Sequence, residues 1–86
     1  SQIDAKKELV IRKIDQLVKV VCSLKTKLMN TNLPANCIEQ IETLASEQEA
    51  DNYKEIVNDL ANTLMNGCDT LEEAFDHSLT TANVLL

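Results

Sequence analysis

The sequence predicts an all-α domain, an antiparallel bundle of three helices, or of four if Gly67 breaks the last. Three observations carry that prediction. One glycine, one proline, one tyrosine, one phenylalanine and no tryptophan among 86 residues leave too few turn formers and aromatics for a multi-stranded β domain. Apolar residues recur in steps of three and four along nearly the whole chain. Charge is also sorted by position. Residues 1–30 hold seven cations against three carboxylates, net +4, whereas residues 31–86 hold only Lys54 against eleven carboxylates, net −10. A long basic helix folded onto acidic ones suits that split.

The first helix is predicted over about residues 2–30. Ile3, Val10, Ile14, Leu17, Val21, Leu24 and Leu28 form a heptad seam that only Lys7 interrupts. Taking Ile14 and Val21 as a positions and Leu17 and Leu24 as d, the e positions include Ile11 and Val18. The g positions are then Lys6, Lys13, Val20 and Lys27. A stripe widened by e residues implies packing between two neighbours instead of a two-stranded zipper. The stretch from Leu17 to Cys22 is apolar almost all round and is expected to be the most buried.

The run Asn30-Thr31-Asn32-Leu33-Pro34 stops this helix and reverses the chain, with Pro34 suited to the first position of the next. The second helix is predicted over about 34–47, burying Ile38, Ile41 and Leu44 and showing Glu39 and Glu42. The stripe then fades, and Asp51 or Asn52 is placed to cap a third helix over about 52–84. There Val57, Leu60, Leu64, Cys68, Leu71, Phe75, Leu79, Ala82 and Leu86 repeat with a mean step close to 3.6, running straight through Gly67. Asn66-Gly67 nevertheless reads as a stop, and Thr70-Leu71-Glu72-Glu73 as a capping box. Both readings stay open. The predicted core comprises Val10, Ile14, Leu17, Val21, Leu24, Leu60, Leu64, Leu71 and Phe75.

Chemistry is sparse. His77 is the one histidine, no glycine-rich loop occurs, and no paired Glu-x-x-His or Ca²⁺-loop spacing is present, so neither an enzyme nor a metal or cofactor site is expected. His77 follows Glu73 by four residues, the spacing of a solvated helical ion pair. Cys22, Cys37 and Cys68 are odd in number and widely spaced. Free thiols used as small apolar side chains in a reducing compartment, cytoplasm or nucleus, are expected. No apolar run reaches the ~20 residues of a membrane span.

Binding by apolar surface is what remains. Leu9, Met29, Leu33, Ile56, Met65, Val84, Leu85 and Leu86 lie off or at the ends of the main stripes and are the candidate contacts, with Lys6, Lys13 and Lys27 steering. The expected role is a protein–protein interaction or dimerisation domain whose partner is another protein or a second copy. Two alternatives stand beside it: a bundle holding a hydrophobic ligand in its core, and nucleic-acid or membrane-surface binding through the basic first helix.

Overall fold

The computed structural model describes residues 1–24, 33–47, 51–67 and 69–85, apart from the side chains of Leu24, Asp69 and Leu85. Within them lie four helices and no strand: α1 (Gln2–Leu24), α2 (Ala35–Ser46), α3 (Tyr53–Asn66) and α4 (Asp69–Leu85). The expected extension of the first helix to residue 30 lies outside the described residues.

Each helix end has a local cause. Ser1 precedes α1, where its Oγ accepts the Asp4 N–H at 3.2 Å and donates to Asp4 Oδ2 at 2.9 Å, a reciprocal cap. Pro34 stands one position before α2, not within it, and its carbonyl accepts the N–H groups of Cys37 and Ile38. Asn52 holds the capping position of α3, but its side chain makes no capping bond; its carbonyl accepts the Ile56 N–H at 3.0 Å.

Gly67 resolves the open question by ending α3 in an extended conformation, ψ 177°. A Cβ at Gly67 would stand 2.7 Å from Leu71 Cδ2 and 3.1 Å from the Thr63 carbonyl. The break is therefore filled by Leu71 folding back over the turn. Because α4 begins at Asp69, Thr70 falls in its first turn and not in the cap.

The basic helix is the centre of the molecule. α1 contacts α2, α3 and α4, α3 contacts α2 and α4, and among the described residues α2 and α4 do not meet. Tyr53, at the start of α3, reaches Asp15, while Leu64, near its end, lies by Val10 and Lys13, so α3 runs opposite to α1. Lys6 pairs with Glu72 and Lys13 with Asp76, so α4 runs in the same sense as α1. The chain reverses at Gly67.

Burial follows the seam with instructive departures. Val10, Ile14, Leu17, Val21, Leu60, Leu64 and Phe75 are buried as expected, and Leu71 is half-buried against them. Val18 and Val20, at e and g, are buried too, because a helix with three neighbours needs a stripe wider than a and d. Ile3 departs: it is 71% exposed. The first turn of α4 already faces Lys6, so α1 extends beyond its neighbours and its first seam residue has nothing to meet.

The stretch from Leu17 to Cys22 is not buried all round, since Lys19 and Cys22 face solvent on a side of α1 that no helix covers among the described residues. Leu33, expected on the surface, is in the core. It sits just before the α2 cap with Ile38 five positions on, the arrangement of a hydrophobic staple; Leu33 belongs to the central cluster and Ile38, half-buried, packs against it. Ile56 and Met65 are likewise half-buried against the core and are not free surface.

α4 faces the core with a line of small residues, Ala74, Ser78 and Ala82, all buried. Ser78 Oγ donates to the Ala74 carbonyl at 2.9 Å, so its hydroxyl is satisfied inside its own helix.

The two described cysteines differ sharply. Cys22 is exposed, whereas Cys37 is 1% exposed and burial pushes its thiol above the ordinary value. Alkylation of the native protein is expected to label Cys22 rapidly and Cys37 only on unfolding, as read by peptide mass; equal rates would contradict this placement. Cys68 lies outside the described residues.

Candidate functional site

Because α1 touches every other helix, its polar residues divide by neighbour. Toward α4, Lys13 Nζ meets Asp76 Oδ1 at 3.0 Å, and Lys6 Nζ meets Glu72 Oε2 at 3.6 Å. Both lysines are g positions of the seam, where ion pairs border a packed helix interface. The basic-against-acidic complementarity legible in the charge split is thus realised within the chain at these two lysines. Lys27, the third predicted steering residue, lies outside the described residues.

Toward α3, the Tyr53 hydroxyl donates to Asp15 Oδ1 at 3.1 Å. Burial, then the negative charge of Asp15 and its hydrogen bond, push the phenol up to about 12 from an ordinary 10.0. The folded state therefore holds this proton more tightly than the unfolded chain does. Its stabilising contribution is whole below pH 10 and is lost as pH rises from 10 through about 12. Tyr53 is the one tyrosine, so tyrosinate absorbance reports it alone. A native midpoint near 12 is expected, falling part of the way back in Asp15→Asn; a midpoint at 10 in the folded protein would refute the arrangement.

Beside this bond a groove of about 340 Å³ opens between α1 and α3, lined by Ile11, Asp15, Tyr53, Lys54, Val57 and Asn58. Its walls are apolar, with a carboxylate and an ammonium at the edge. A second cleft, of about 300 Å³, runs beside α2 along Asn36, Glu39, Gln40 and Thr43 to Ile56. Gln40 Oε1 is buried there without a hydrogen-bond partner. Between Val10, Lys13, Leu64 and Phe75 the space is about 10 Å³, on the scale of a single water.

The candidate apolar contacts are dispersed. Leu9 is 52% exposed on the solvent side of α1, and Val84 is 80% exposed near the end of α4. Since α4 runs with α1 from Glu72 opposite Lys6, Val84 lies toward the far end of α1 from Ile3. These residues do not converge. Met29 and Leu86, and the side chain of Leu85, lie outside the described residues.

The uncovered side of α1 carries Glu8, Arg12 and Lys19, all exposed, with Asp15 half-buried at its edge. Among the described residues none of these four takes part in an ion pair, although Glu8 and Arg12, and Asp15 and Lys19, stand four apart. Sequence reasoning passed over this strip because it followed the apolar seam and counted only the g lysines. Tyr53 was missed as well, since nothing local joins it to a residue 38 positions away.

No three His, Cys, Asp or Glu side chains gather as metal ligands among the described residues, and no helix there is long and apolar enough to cross a membrane. His77 is exposed and forms no ion pair with Glu73 among the described residues. The chain matches no family model, no curated protein and no solved structure. Its own residues therefore carry the functional reading.

Proposed function

We propose that this chain is a non-enzymatic protein–protein interaction or dimerisation domain that recognises its partner by helix-to-helix packing. The observation that carries the reading is Leu9, half exposed beside Glu8 and Arg12, which are unpaired among the described residues, on the solvent side of α1. A large apolar side chain ringed by polar groups is a common anchor for a partner helix.

Two further observations favour this reading over its rivals. Lys6 and Lys13 are already paired with Glu72 and Asp76, which weakens α1 as a polyanion- or membrane-binding surface. The 340 Å³ groove between α1 and α3 is open to solvent and is not an enclosed chamber for a core ligand.

A photo-crosslinking residue at Leu9, used in lysate, tests the reading. A discrete polypeptide adduct, a second copy included, competed away by excess unmodified domain is the expected result. Absence of any competable polypeptide adduct would overturn it.

A further inference from the structure

We infer that the uncovered face of α1 is a self-recognition surface that takes a second copy of this chain in antiparallel register. The inference deepens the interaction reading and rests on it.

The face is ordered as Ala5, Glu8, Arg12, Asp15, Lys19 and Cys22, in steps of three, four, three, four and three. Such steps keep the residues on one side of an α-helix, and the eleven steps from Glu8 to Lys19 make about three whole turns. The spacing reads the same from either end. The charges read as their own complement: negative, positive, negative, positive from Glu8 to Lys19.

A second α1 laid antiparallel therefore sets Glu8 against the partner's Lys19 and Arg12 against the partner's Asp15. A two-fold axis repeats both pairs, as an isologous contact requires. Ala5 falls opposite the partner's Cys22, two small side chains that let the helices come close at both ends of the strip. Asp15 gives one oxygen to Tyr53 and has a second for an arginine.

Charge also selects the occupant. The strip carries two positive and two negative groups, so it draws neither a polyanion nor a uniformly acidic helix. Docking through α2 to α4 would set carboxylate against carboxylate, because apart from Lys54 the ionised side chains there are Asp and Glu. At the strip on α1, two copies meet with opposite charges in register. The four groups could instead pair along their own helix, but among the described residues they do not.

The test uses Glu8 and Lys19, both exposed and outside every intramolecular ion pair among the described residues. Sedimentation equilibrium at low salt is run on wild type, Glu8→Lys, Lys19→Glu, their equimolar mixture and the double variant, with helicity checked by circular dichroism. Wild type is expected to associate, and added salt to weaken it. Each single reversal turns two attractions into two repulsions and is expected to lower the association constant roughly tenfold or more. Both the mixture and the double variant restore opposite charges at each contact, and with them association.

A wild type that stays monomeric at every concentration overturns the inference. So does a dimer indifferent to the reversals, or one that the mixture fails to rescue. In each of those cases a competable polypeptide adduct at Leu9 keeps the broader interaction reading alive, whereas its absence sinks that reading separately.

Discussion

Truncating Leu17 to alanine is expected to destabilise the domain by about 2–5 kcal/mol, the range for emptying a filled apolar site. At roughly 0.05–0.15 kcal/mol per residue, a chain of this length has only about 4–13 kcal/mol in total. Leu17 is 0% exposed on α1, which like α3 contacts all three other helices, so the void opens at the junction of the bundle. With one phenylalanine and no tryptophan, few large side chains can relax into it. The urea midpoint should fall steeply, with part of the population unfolded before denaturant is added. A loss below about 1 kcal/mol would mean that the centre collapses around the gap, contrary to a core held by aliphatic packing.

Ser78 should separate bulk from polarity. Replacing it with leucine pushes a large side chain between α4 and the core, on a face where Ala74 and Ala82 are buried as well. Overpacking of this kind costs about 1–3 kcal/mol. Ser78→Ala should stay within about 0.5 kcal/mol of wild type, because the hydroxyl donates only to the Ala74 carbonyl one turn back. Thermal melts of the pair decide the matter. A serine-to-alanine loss as large as the serine-to-leucine loss would mean the hydroxyl, and not the volume, is what the site needs.

Much of this fold is legible in the amino-acid order because apolar periodicity is a local signal. Val10, Ile14, Leu17, Val21, Leu60, Leu64 and Phe75 announce their burial by spacing alone. The residues that escaped depend on where other segments stop. Ile3 shares the phase of the seam, yet its exposure follows from α4 beginning level with Lys6. Leu33 falls outside the helical periodicity and is buried from the position just before the Pro34 cap of α2, where it joins the core. Cys22 lies beside Val21 in an apolar run but faces a side of α1 that no helix covers among the described residues.

The candidate site was less legible for the same reason. Lys6 and Lys13 announced themselves as g residues, but that their acidic partners would be Glu72 and Asp76 requires the reversal at Gly67. The strip from Glu8 to Lys19 is written openly in the sequence and becomes meaningful only once α2, α3 and α4 occupy the remaining sides of α1.

The central position of α1 also bears on how the chain is made. Translation delivers this helix to solvent before any of the three that will cover it, so the part of its apolar stripe that meets α4 stays bare until Phe75 and its neighbours leave the ribosome.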